Sequence, residues 1–216
     1  MNVKQKPLIF ILFFTLFMNT YPELLKEEIY FNADNTAKPI AKRFYQYDEN
    51  NFIIKIIENY SETNDIIELK YTYDAEILRT VEEYHNGSRV KYSVFNYKNG
   101  IPENKTDYDN NEKVVLKRQF TFKTNQLSEI SDFLPNGVYL GKRVFNYTSG
   151  ILDSEYTENE IGYRMVHRVY TRANGLIVKV EMYIRDRLIR VIERKYEKHE
   201  IKENQFDLQN NFWDIR

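Results

Sequence analysis

One aromatic position recurs down the chain at an interval of about 25 residues, and this repeat limits the possible folds more than any other feature. Its occupants are Tyr47, Tyr73, Tyr97, Phe122, Tyr147, Arg172 and Tyr196, spaced by 26, 24, 25, 25, 25 and 24 residues. Two residues earlier stand Tyr45, Tyr71, Phe95, Phe120, Phe145, Tyr170 and Arg194. Three residues after the anchor come Asn50, Glu76, Gly100, Asn125, Gly150, Gly175 and His199. About eleven after it comes a second aromatic column: Tyr60, Tyr84, Tyr108, Phe133, Tyr156, Tyr183 and Phe206. Four columns in register over seven copies define one unit, repeated.

Each unit reads as a β-hairpin. Leu69-Lys-Tyr-Thr-Tyr73 and Leu116-Lys-Arg-Gln-Phe-Thr-Phe122 alternate large and polar residues, the period of a strand with two different faces. Aromatic and β-branched side chains suit a pleated, half-buried surface. The column after the anchor is mostly Gly or Asn, which tolerate positive φ, so Asn99-Gly100, Ser149-Gly150 and Asn174-Gly175 are predicted hairpin turns. A second turn is predicted at Asn86-Gly87, Asn110-Asn111, Pro135-Asn136-Gly137 and Arg185-Asp186. Val81 and Tyr84, Ile130 and Phe133, and Val180 and Tyr183 each lie three apart, which puts them on opposite faces of an unbroken strand. The second strand must therefore carry a bulge or be covered on both faces.

Seven hairpins give an all-β chain of about fourteen antiparallel strands. Consecutive hairpins pair with their neighbours as a meander. An elongated, twisted open sheet is expected first, rolling into a barrel-like closure second, and a two-layer sandwich third. The repeat domain spans 40–206, and two segments that break the period, 21–39 and 207–216 with the sole Trp213, are expected to cap it.

Residues 1–20 differ from all that follows. Lys4 and Lys6 precede an apolar run, Pro7 to Met18, that suits a secretory signal peptide and is too short to span a bilayer as a helix. Export is expected, with an uncleaved membrane anchor as the alternative and a buried apolar helix behind both. The absence of cysteine excludes disulfides, thiolate metal sites and a cysteine nucleophile. A net charge of −1 behind an export signal argues against nucleic acid.

The paired tyrosines opening a hairpin turn, Tyr45-Gln-Tyr47-Asp48 and Tyr71-Thr-Tyr73-Asp74, resemble the YD repeats of the Rhs/teneurin-type wall-associated proteins. The resemblance implies a hairpin-repeat architecture and an exported or cell-surface setting.

One strand face combines the aromatic columns with cations: Arg43, Tyr45 and Tyr47; Tyr71 and Tyr73; Phe95 and Tyr97; Arg118, Phe120 and Phe122; Arg143, Phe145 and Tyr147; Arg168 and Tyr170. Stacked side by side, these residues form either a flat platform for a glycan, peptide or protein, or the core layer of the sheet. The stretch 48–83 carries ten acidic and three basic residues, and 161–202 eleven basic and five acidic. Opposite charge at the two ends of an array would support head-to-tail self-association.

His85, His167 and His199 fall in different repeats without a second ligand at metal spacing, and no catalytic motif is present. No cofactor is expected. The sequence therefore points to an exported, non-enzymatic β-repeat protein that binds or scaffolds at the cell envelope, partnered by an envelope protein or glycan. One alternative is an outer-membrane β-barrel, weighed against Lys55, Glu82, Arg143, Lys179 and Glu181, which interrupt any lipid-facing band. The other is an enzyme with its site in a closed groove.

Overall fold

A computed structural model of the chain describes residues 23–198. They form fourteen strands: β1 Glu23–Asn32, β2 Asn35–Tyr47, β3 Ile53–Tyr60, β4 Ile66–Asp74, β5 Ile77–His85, β6 Ser88–Lys98 and β7 Ile101–Asp109. Then follow β8 Val114–Lys123, β9 Gln126–Phe133, β10 Tyr139–Thr148, β11 Ile151–Asn159, β12 Arg164–Ala173, β13 Leu176–Ile184 and β14 Arg187–Lys198. Every strand pairs antiparallel with its neighbours in the chain, and β1 pairs with β14, so the sheet is a closed barrel. The rolled form is the one adopted; the open sheet is not. Closure satisfies both edges that an open meander would leave unpaired.

The turns lie where the Gly and Asn column puts them. Asn99-Gly100, Ser149-Gly150 and Asn174-Gly175 have positive φ at both positions, as a two-residue hairpin turn requires. Ala75-Glu76 adopts the same left-handed pair without glycine or asparagine. Asp48 caps its longer turn, accepting hydrogen bonds from the Asn50 and Phe52 amides at 2.9 and 2.8 Å. These reversals, together with the start of β1 and the end of β14, make one end of the cylinder, the turn rim. The other end, the loop rim, carries connections 33–34, 61–65, 86–87, 110–113, 134–138, 160–163 and 185–186.

Each unit is also bulged. In Tyr73↔Leu78, Phe122↔Leu127, Tyr147↔Leu152 and Arg172↔Ile177 the anchor faces the second residue of the next strand, and one extra residue follows before regular pairing resumes. The seam copies this pattern: Leu25 faces Tyr196, with a bulge before Glu27. The segment from 21 expected as a cap thus supplies β1 and the start of β2. β1 takes the place of the second strand of the seventh hairpin. The leader 1–20, His199, Phe206, Trp213 and the expected cap 207–216 lie outside the described residues.

Closure also removes the array's two ends. The acidic stretch falls on β3–β5 and the basic one on β12–β14, so the two lie on either side of β1–β2 rather than at opposite ends. The charge argument for head-to-tail association loses its geometry.

Candidate functional site

The period-2 alternation of the strands, shifted once by each bulge, sends every anchor into the interior. Tyr47, Tyr73, Tyr97, Phe122 and Tyr147 line it next to the turn rim, packed against Ile53, Leu78, Leu127 and Leu152. Their hydroxyls stitch neighbouring hairpins together. Tyr73 donates to the Ile53 carbonyl at 2.9 Å, Tyr147 to Leu127 at 2.9 Å, Tyr196 to Ile177 at 2.7 Å and, from β2 to β1, Tyr47 to Leu25 at 2.7 Å. Where Arg172 replaces the aromatic, its Nη2 makes the equivalent bond to Leu152 at 3.0 Å. Burial raises the Tyr47, Tyr73 and Tyr147 hydroxyls above their ordinary pKa range and Tyr97 to about 12.

One layer deeper lie Tyr45, Tyr71, Phe95, Phe120, Phe145 and Tyr170. Phe95, Phe120 and Phe145 are only 5–6% exposed, and the Phe95 and Phe120 rings stack 6.3 Å apart. A barrel of eight strands is filled by ordinary side chains, and this wider ring of fourteen carries large aromatic ones at this level.

A charged layer follows. Glu28, wholly buried, accepts from Arg43 Nη1 at 3.1 Å, Arg194 Nε at 2.7 Å, and the Tyr30 and Tyr45 hydroxyls at 2.8 Å each. Arg43 also holds Glu58 at 2.8 Å. On β6–β9, Asp107 meets the Ser93 hydroxyl at 2.7 Å, Lys105 at 3.2 Å and Arg118 at 3.6 Å, and Arg118 reaches Asp132 at 3.1 Å. On β10–β12, Glu155 pairs with Arg168 and, at 3.9 Å, with Arg143. Burial draws Lys105 down to about 8. Burial pushes the Asp107 carboxyl up, but Lys105, Arg118 and Ser93 together hold it below its ordinary value.

All fifteen residues of the aromatic and cationic face therefore point inward, as the core-layer reading requires, and none offers a flat outer platform. Arg143 also lies inside, so it does not interrupt the outer wall. Sequence reasoning missed the carboxylates Glu28, Glu58, Asp107 and Glu155, which neutralise the cations, and two further buried cations, Lys105 and Arg194. A signal for one of them existed: Arg194 occupies an aromatic column, and a charge there requires a buried counter-charge.

The outer wall has the opposite character. Lys55–Glu68 at 3.0 Å, Lys142–Glu129 at 3.0 Å, Lys179–Glu181 at 2.6 Å and Lys195–Glu27 at 2.9 Å run around it. The three-apart pairs are resolved here. Val81, Ile130 and Val180 face the interior, while Tyr84, Phe133 and Tyr183 face out near the loop rim. Each bulge comes before these pairs, and the outward rings are half-buried against their neighbours on the wall. Tyr92 and Tyr108 stack at 4.8 Å, Phe133 meets Tyr139 at 5.6 Å, and Arg164 lies 3.9 Å over Tyr156. The outer face thus carries a single aromatic collar.

The charged layer commits its carboxylates to cations and hydroxyls. Among the described residues no group of His, Asp and Glu is placed to hold a metal, and no helix is long and apolar enough to cross a membrane. His85 pairs with Glu83 at 2.8 Å at its turn, and His167 lies against Tyr183.

No known protein family and no curated protein matches the chain. Among solved structures it is similar to a porin-like protein from Bacteroides vulgatus, at 13% identity and a TM-score of 0.51 over 80% of this chain and 98% of that one. A porin-like protein from Bacteroides uniformis is similar at 11% identity and a TM-score of 0.47, over 82% of this chain and 100% of that one. At these identities the likeness shows the fold, an antiparallel barrel closed on itself.

Proposed function

We propose that the chain is an exported, non-enzymatic β-barrel of the cell envelope that stands in water and acts through its outer surface. One observation carries this reading: the outer wall is charged along its body, where a membrane barrel presents an apolar band to lipid. Here Lys55, Lys142, Lys179 and their carboxylate partners face out, while Phe95, Phe120 and Phe145 are buried inside. With Lys70 and Lys117 that makes five outward lysines in the body of the wall. At roughly 2–4 kcal/mol each at a bilayer midplane, they would cost about 10–20 kcal/mol, as much as the whole stability of an ordinary domain. Partners of the expected kinds, an envelope protein or a glycan, are met on the outer wall or at the rims.

A second reading is insertion in an outer membrane. The porin-like fold and the collar formed by Tyr84, Tyr108, Phe133, Tyr156 and Tyr183 favour it. A membrane barrel, however, carries such girdles at both interfaces, and near the turn rim the outward positions mix Asp74, Lys98, Lys123 and Thr148 with Ile101 and Ile151 rather than forming a ring of aromatics. Purification of the chain from Tyr21 onward decides between them. The first reading expects a folded monomer without detergent and no conductance in planar bilayers. A chain that aggregates until detergent is added, and then conducts, overturns it.

A further inference from the structure

The loop rim is divided into two unlike arcs. On one side, the connections between β9 and β10, β11 and β12, and β13 and β14 place large apolar side chains at their tips. Ile161 is 80% exposed and Val138 52%, with Leu134, Tyr163 and Ile184 also exposed. Contiguous exposed apolar groups of this kind mark a contact surface. Immediately behind them on the outer wall stand collar residues Phe133, Tyr139, Tyr156 and Tyr183, and Arg164 is stacked on Tyr156. Apolar tips backed by amphipathic rings and a cation are the chemistries found together at a bilayer interface.

The remaining connections, from β1–β2 to β7–β8, have polar tips and the opposite charge. Counted with one flanking residue on either side, they hold Asp34, Glu62, Asp65, Asp109 and Glu112 against Lys113. The apolar arc, counted in the same way, holds Arg164, Arg185 and Arg187 against Glu160 and Asp186. An anionic surface attracts the second arc and repels the first.

We infer that the apolar arc of the loop rim docks on an anionic phospholipid surface, tilting the barrel so that the acidic arc stays in water. The inference rests on the reading of the barrel as water-standing and gives it one membrane contact. A planar surface meets three neighbouring tips on the end of a cylinder together. A second copy set on the same arc would bring arginines against arginines. Both described chain ends, Glu23 and Lys198, are at the turn rim, the end of the barrel away from the docking arc.

The test uses the chain from Tyr21, since all fourteen strands lie after that residue. Without detergent, it is floated with phosphatidylcholine vesicles, with and without phosphatidylglycerol. The chain should float with the anionic vesicles and less with the neutral ones. Val138→Asp with Ile161→Asp should lower the bound fraction at least about tenfold, because the tips lose the apolar surface that enters the interface. A matching pair at the turn rim, Ile101→Asp with Ile151→Asp, should leave it unchanged. All variants should keep the wild-type unfolding midpoint.

Wild-type chain that stays soluble and does not float overturns the inference, as does flotation indifferent to the tip substitutions. So does a dimer in solution that the tip substitutions dissolve, which would show a second copy on the arc. A chain that is insoluble without detergent overturns the water-standing reading itself, and the docking inference with it.

Discussion

The inner and outer walls of this barrel use the same chemistry, carboxylates paired with Lys and Arg, in two different environments. Outside, Lys55–Glu68 and Lys195–Glu27 are partly or largely in water, where such pairs contribute about 0–1 kcal/mol and salt screens them. Inside, Glu28, Arg43, Glu58 and Arg194 have lost their water, and each charge depends on its neighbours. The outer pairs keep the wall wet and disperse its charge. The inner pairs cost desolvation to form and become indispensable once formed. Equal distances thus carry very unequal consequences.

Substitutions on each wall should reveal the difference. The largest effect is expected from Glu28→Gln, which leaves Arg43 and Arg194 buried without their shared counter-charge. It should cost about 3–5 kcal/mol, read from the denaturant midpoint. A cost no greater than that of an outer pair would break the comparison. Next comes Gly141→Ala. A Cβ there would lie 2.2 Å from the Glu158 carbonyl oxygen, at a φ of +142° that side chains rarely adopt. About 2 kcal/mol of destabilisation is expected, measured the same way. Tyr47→Phe removes the hydrogen bond that ties β2 to Leu25 of β1 and should cost about 1 kcal/mol; Phe122, which has no hydroxyl, is the natural reference for the ring alone. Lys55→Ala on the outer wall should cost under about 0.5 kcal/mol, and that small loss should shrink further in high salt.

The last signal is a slope. Because burial lowers Lys105 to about 8, folded and unfolded chains both hold its proton below that pH, and folding bears the burial cost. From about 8 towards 10 the unfolded chain keeps a proton that the folded chain has released, so the Lys105 contribution to stability rises with pH. Above 10 the raised tyrosines oppose it, since they ionise only on unfolding. Midpoints measured across pH 8–10 should rise less in Lys105→Met than in the parent.

Hairpins, turns and the inward face were legible in the sequence because the repeat states each of them several times over. Gly100, Gly150 and Gly175 mark reversals by backbone necessity. Closure was harder to see because its evidence is displaced to the front of the chain. Leu25, Glu28 and Tyr30 occupy the places that Leu127, Ile130 and Asp132 hold in β9, but no anchor precedes them in the chain to give the register. The charged layer was half legible. The cations recur beside the aromatics, whereas their partners sit on the other strand of the hairpin or, for Glu28, across the seam, with no fixed spacing to reveal them.

The seam also has a consequence in time. β1 leaves the ribosome first, yet its partner β14 is made some 170 residues later, as the Lys26–Glu197 separation of 171 shows. Hairpins β2–β3 through β12–β13 are local and available early, but the ring cannot lock until the oldest strand meets the youngest, so closure is the slow, all-or-none step. Until then the waiting edge is guarded by its own Lys26, Glu27 and Glu28, charges that make it a poor template for stray strands.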